Sequence, residues 1–301
     1  MKKEKQIITL LFIVLFFINN RAQAQISSLF PDESTYDKVF SSTTFDEPYF
    51  LCLGPKGELQ VVSEGIAVCI NDSTATSYIL PLTEGLTNAH WIDENNVLLS
   101  SGNTIYFFNI NDGYLRPVAH VDSGEVAFKM GKSKLYYYNA GSKIINSITF
   151  NDTSISPISF VVDNEISSLV IDEEDNCILA TGNKIFAITE DLELFPIWKS
   201  KKDILSIEIG QNGELYYGTI DGIFYLDNKY NNFKILDKGA KQIVCHEDNL
   251  YMVFCDKSTA RISNISNLST VIKEVTQNKR NDKTNDKKTT KQTKSKRRKK
   301  S

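Results

Sequence analysis

One phrase recurs along this chain, and its spacing limits the possible folds more than any other feature. Residues 171–189 and 209–227 align without gaps, each reading as strand, polar turn, strand, glycine-containing turn and strand. The phrase starts again at Leu53, Ile92, Met130 and Cys245, so successive starts lie 39, 38, 41, 38 and 36 residues apart. A few short strands cannot bury both of their faces alone, whereas similar sheets stacked around an axis can. The period therefore predicts an all-β propeller of six four-stranded blades over roughly 47–277.

Local chemistry agrees with the period. Val97–Leu99, Leu135–Tyr138, Ile178–Leu179 and Leu250–Phe254 read as second strands, apolar on both faces because blades stack face to face. Pro55–Gly57, Asn95–Asn96, Asp112–Gly113 and Asn212–Gly213 supply residues that preset or tolerate turn dihedrals. No window of helical length carries a sustained 3.6-residue apolar stripe. The segment Tyr36–Phe40 offers one further strand, suited to pair into the last blade and remove two exposed edges. A seven-bladed ring using residues 26–46 is the alternative; about 20 residues are few for four strands.

Charge divides the chain into three. Lys2, Lys3 and Lys5 precede an apolar run from Ile7 to Ile18, and Ala22-Gln23-Ala24 follows as a small-x-small cleavage pattern. Residues 1–24 thus read as a removable export signal, with periplasm or cell surface as the expected location. Residues 278–301 hold 12 Lys/Arg against Asp282 and Asp286, a net of +10. That leaves 18 basic and 34 acidic residues in 25–277, a net of −16. The tail has no apolar side chain to offset the ordering cost of about 1–2 kcal/mol per residue, so its composition predicts disorder. Lys294, Lys296, Arg297, Arg298, Lys299 and Lys300 form its densest stretch. Such a run attracts polyanions by counterion release: lipid phosphates, acidic polysaccharide, DNA or an acidic protein surface. It lacks aromatic residues for base stacking, which argues against sequence-specific nucleic-acid reading.

The run Gly213-Glu-Leu-Tyr-Tyr-Gly-Thr-Ile-Asp-Gly-Ile-Phe-Tyr-Leu-Asp227 resembles the repeat of two-component-regulator-type propellers. The segment Ala180-Thr181-Gly182 is similar and also resembles NHL-type blades. This resemblance covers about 15 residues and implies architecture, not activity. The Asn- and Lys-rich composition and the Ala-Gln-Ala-Gln region resemble exported Bacteroidetes proteins.

Candidate chemistry is sparse. His90, His120 and His246 are the three histidines, and no two share metal-ligand spacing. Neither a metal nor a cofactor is expected. Repeat register places Cys245 opposite Leu250, leaving Cys255 about 16 Å away at ~3.3 Å per residue, too far for a disulfide. Cys52 and Cys69 fall on the first and third strands of one blade, also too far apart to bridge. Asp172–Asp175 lacks the ligand alternation of a calcium loop and reads as a solvated hairpin turn. Glu125, Glu165, Asp203 and Lys241 precede successive first strands, where propeller connections line one mouth of the channel. They are the candidate ligand-binding residues; no catalytic residue is assigned.

Two functions follow. One is a non-enzymatic binding or scaffold propeller of the cell envelope, a monomeric ring with a protein partner and an anion-seeking tail. The other is an enzyme acting on extracellular carbohydrate or lactone through carboxylates at the channel mouth. Joint substitution of Glu125, Glu165 and Asp203 separates them: partner binding survives in the first, and turnover is abolished in the second.

Overall fold

The structure is a computed structural model that describes residues 37–40, 49–63, 65–69, 77–82, 85–139, 141–149, 158–189, 193–256 and 258–268. The predicted export signal, residues 1–24, and the predicted disordered tail, residues 278–301, lie outside the described residues. Six antiparallel four-stranded sheets form the blades. Blade one contains β2 (Tyr49–Leu53), β3 (Leu59–Ser63), β4 (Ile66–Cys69) and β5 (Tyr78–Ile79). Blade two contains β6 (Leu86–Trp91), β7 (Asn96–Ser101), β8 (Thr104–Asn109) and β9 (Tyr114–His120). Blade three follows with β10 (Val126–Met130), β11 (Lys134–Asn139), β12 (Ile144–Thr149) and β13 (Ile158–Val161). Blade four has β14 (Ile166–Ile171), β15 (Cys177–Thr181), β16 (Lys184–Ile188) and β17 (Leu194–Lys199). Blade five has β18 (Ile204–Ile209), β19 (Leu215–Thr219), β20 (Gly222–Leu226) and β21 (Asn232–Leu236). Blade six combines β22 (Ala240–His246), β23 (Asn249–Phe254) and β24 (Thr259–Ser263) with β1 (Asp37–Phe40).

The N-terminal strand thus completes the last blade, with Asp37 opposite Arg261 and Phe40 opposite Thr259. Residues 37–40 are used here, which leaves nothing in the described chain for a seventh blade. Register repeats from blade to blade. In blades one to five the last residue of the first strand faces the first apolar residue of the second, as in Leu53 and Leu59, Met130 and Leu135, Ile171 and Cys177, Ile209 and Leu215; in blade six Cys245, one residue before the strand ends, faces Leu250. In blade two this residue is Trp91, opposite Val97, not Ile92, whose amide is already drawn into the turn by Asn96 O. Second strands are buried along nearly their whole length, and Leu59, Leu99, Leu135, Leu179 and Leu250 are each 0% exposed. Apolar clusters cross the seams: Leu98 and Ile105 of blade two share a core with Phe128 and Tyr137 of blade three. Burying such side chains contributes about 1.5–3 kcal/mol each.

The inner strands raise a separate problem, because their channel-side backbone groups have no ladder partner. One repeat position answers it at four of six seams. In register this position holds Phe50, Asn88, Ala127, Ser168, Ser206 and Gln242. Asn88 donates to Phe128 O at 2.8 Å, and Ser206 donates to Ala240 O at 3.3 Å. Ser168 Oγ accepts from Ile207 N–H at 3.2 Å. Gln242 closes the circle, accepting from Leu51 N–H at 3.0 Å and donating to Leu51 O at 2.8 Å. The other two seams are apolar, with Phe50 packed on Ala89 and Ala127 packed on Leu169.

Two glycines let blades five and six approach. A Cβ on Gly218 would stand 2.5 Å from Ala240 O, and one on Gly239 would stand 2.2 Å from Ile220 O. Around the rim, Asp175 reaches from blade four to accept from Ser133 N–H at 2.9 Å and Ser133 Oγ at 2.7 Å in blade three. Asp172 meanwhile accepts from Glu174 and Asn176 N–H within its own turn. The acidic run is therefore a turn that also fastens two blades.

Gln242→Ala leaves the Leu51 amide and carbonyl without side-chain partners at the closing seam. Urea unfolding should show a loss of about 1–3 kcal/mol. An unchanged midpoint would mean that this bridge does not hold the ring.

Candidate functional site

The six first strands enclose a central cavity of about 740 Å³. In blades two, four, five and six a bulge interrupts the pairing of the first strand between its first and third residues. The skipped residues are Thr87, Ser167, Leu205 and Lys241, and all four line the cavity. A bulge turns a side chain out of the pleat alternation, which explains how these residues come to face the channel instead of a neighbouring blade.

This geometry places the residues predicted from sequence. Glu125 directly precedes β10, and Glu125 and Lys241 both line the cavity. Lys241 is the bulged second residue of β22, not part of the connection before it. Glu165 and Asp203 directly precede β14 and β18; they are exposed and do not line the cavity.

A second ring of side chains lies toward the opposite end of the first strands, one residue before the position that faces the second strand's first apolar residue. In register it comprises Cys52, His90, Lys129, Val170, Glu208 and Val244, and all six line the cavity. Lys129 Nζ stands 3.9 Å from Glu208 Oε2, reaching across the blade that carries Val170. Burial pushes the Glu208 carboxyl above the usual carboxylate range, although the Lys129 ammonium and the Ile209 amide pull it down. Burial, followed by the nearby Lys129 charge, lowers His90 to about 4, so its imidazole is neutral at pH 7. The Cys52 thiol is pushed up to about 12, chiefly by burial. The level thus presents one cation, one anion and a neutral imidazole at equivalent positions of three blades. Such a set can orient a polar ligand through hydrogen bonds to charged groups. Sequence reasoning did not single out Lys129 or Glu208; alignment of the six first strands by register is the signal that finds them.

The remaining candidates resolve simply. Cys52, Cys177, Cys245 and Cys255 are free thiols, and Cys245 stands opposite Leu250. Among the described residues no group of three or more His, Cys, Asp and Glu could hold a metal ion. Ser266 anchors the end of the described chain by donating through its N–H and Oγ to the Asp248 carboxylate, at 2.7 and 3.0 Å. Lys294, Lys296, Arg297, Arg298, Lys299 and Lys300 fall beyond that point, outside the described residues.

No known family profile and no curated protein matches the sequence. The fold itself has many counterparts. It is similar to virginiamycin B lyase from Staphylococcus aureus, with TM-score 0.55 and 14% identity over 71% of this chain and 79% of that one. A gluconolactonase-like protein superposes with TM-score 0.58 at 8% identity, covering 81% of this chain and 97% of that one. The extracellular domain of a one-component system from B. thetaiotaomicron gives TM-score 0.51 at 11% identity, over 77% of this chain and 40% of that chain. At these identities the likeness shows the propeller fold alone, and the number of blades rests on the six sheets of this chain. The likeness carries the architecture implied by the 213–227 repeat and says nothing about chemistry.

The depressed His90 value has a consequence for stability. Between pH 6.5 and about 4 the unfolded chain binds a proton here that the folded chain excludes. The stability it governs is complete above pH 6.5 and lost as pH falls toward 4. His90→Gln removes this titration next to Lys129, Glu208 and Cys52. Its pH–stability curve, measured by chemical unfolding, should be flatter across that window by on the order of 2 kcal/mol. Parallel curves would show that the imidazole is already protonated in the folded ring.

Proposed function

We propose that this protein is an exported binding propeller, tethered to anionic envelope material by its basic tail and open to a partner through the ring. The observation that carries this reading is the charge split, −16 over residues 25–277 against +10 over 278–301. Geometry supports it. Glu125 and Lys241 belong to the end of the ring where the first strands begin, and Asp248 belongs to the turn after β22 ends. The described chain ends beside Asp248, after a 3₁₀ turn at Ile265–Asn267. A tail that holds a surface on that side leaves the mouth with Glu125 and Lys241 facing away from it. Each Lys or Arg near an anionic surface adds about 1 kcal/mol of attraction, which falls off within a Debye length of about 8–10 Å.

Full-length protein exported from a bacterial host should begin at Gln25 by intact mass. It should sediment with phosphatidylglycerol vesicles at 50 mM salt and be released as salt rises. Deletion of residues 278–301 should reduce that association by at least tenfold with the fold unchanged by circular dichroism. Equal retention of the truncated chain at low ionic strength would overturn the tether. Binding to DNA or acidic polysaccharide in place of the vesicles would redirect it to another polyanion.

The catalytic alternative draws on one observation, the enclosed Glu208 carboxyl with its raised pKa beside Lys129. Turnover of a lactone or glycoside by the full chain, abolished in Glu208→Gln, would establish it.

A further inference from the structure

The Lys129–Glu208 level of the channel, with the lysine side chain 44% exposed and the glutamate 18%, carries a particular charge pattern. Lys129 and Glu208 lie 3.9 Å apart, beyond the 2.7–2.9 Å at which such groups close into a charge-assisted hydrogen bond. Among the described residues, Glu208 accepts a single hydrogen bond, from its neighbour Ile209 N–H at 3.1 Å, and Lys129 donates none. The inner strands that carry them, β10 and β18, are separated by β14 and held by their own ladders, so the ring sets the backbone positions from which the two side chains extend. An ammonium has three donors and a carboxylate about four acceptor sites, so both retain capacity toward the cavity.

Charge balance narrows what can enter. The body carries −16, yet the cavity lining holds two lysines and two glutamates: Lys129 near Glu208, and Lys241 and Glu125 on different blades toward the mouth. A simple anion would meet Lys129 but be repelled by Glu208, and a simple cation would face the reverse. A neutral polyol could hydrogen-bond to both groups but would bring no opposite charge to either. A net-neutral molecule that carries both charges satisfies each group. The neutral His90 imidazole adds a donor beside Lys129, and Phe50, Trp91 and Met130 supply apolar surface nearby. The cavity volume of about 740 Å³ lies within the range of about 300–1,000 Å³ found for small-ligand sites.

We propose that this level binds a small zwitterion, an α-amino acid, with its carboxylate against Lys129 and His90 and its ammonium against Glu208. The proposal rests on the reading of the ring as a binding module and is independent of the tail.

Isothermal titration of the full-length protein with the free amino acids, then with the N-acetyl and amide derivatives of the tightest, tests it. At least one free amino acid should bind, and blocking either end should weaken binding by about tenfold or more. Lys129→Met and Glu208→Gln should each do the same. The double variant Lys129→Met, Glu208→Leu replaces the pair with apolar groups of similar volume, a change that is often neutral for folding. It should keep the parent Tm and lose binding. Three results would overturn the proposal: no free amino acid binding at millimolar concentration, blocked forms binding equally well, or the double variant binding like the parent. Vesicle sedimentation measured on the same samples reports the tether separately, so the two ideas fail independently.

Discussion

The inner edge of every blade exposes backbone donors and acceptors that no sheet partner can reach, and closing the ring depends on satisfying them. The side chain at one repeat position does so where it is polar, as at Asn88, Ser168, Ser206 and Gln242. Where it is apolar, at Phe50 and Ala127, the seam relies on packing. Gln242 carries the greatest burden, since it joins residues 191 positions apart in the chain and completes the circle from within. The pairing of β1 with β24 completes the same seam from outside. The cavity exists because the Gln242 bridge and the apolar cluster of Leu51, Leu59 and Val61 with Val244, Tyr251 and Val253 hold the sixth blade against the first.

Much of this was legible in the sequence. The repeated turn at Leu53, Met130, Ile171, Ile209 and Cys245 marks the end of each first strand, because a polar turn must follow a strand buried on both faces. Tyr36–Phe40 was recognisable as a closing strand because a lone apolar segment before the first repeat has no other sheet to join. The one-residue offset at Ile92 arose because Trp91 and Ile92 are both apolar, and only the Asn96 carbonyl decides which belongs to the turn. Long-range polar bridges left no such trace: a Gln or Ser on a strand looks the same whether it faces solvent or a neighbouring backbone.

The site divides in the same way. Residues before a first strand could be nominated from the period, which is how Glu125, Glu165, Asp203 and Lys241 were chosen. Periodicity does not show which of them reach the channel: Glu125 lines it before the unbulged β10, whereas Glu165 and Asp203 precede bulged strands and do not. The Lys241 bulge brings that side chain to the cavity, while Glu165 and Asp203 stay on the rim. Lys129 and Glu208 were missed because each is a single charge at the end of an amphipathic strand, a common and unremarked pattern. Their relation appears only when strands nearly 80 residues apart are set at one level. The same view recasts the acidity of the body. Asp172 and Asp175 are bound to backbone amides of turns, so part of the negative charge serves the scaffold rather than a ligand.

Amide hydrogen exchange under native conditions tests the closed ring most directly. If the sixth blade is held to the first as described, the Leu51 amide and the β1–β24 ladder should be protected to within about 1 kcal/mol of the slowest amides of β11 and β19, opening only with the whole domain. Exchange at Leu51 and across β1–β24 several kcal/mol easier than in those strands would mean that the ring opens at this seam while the blades remain folded, contradicting the account.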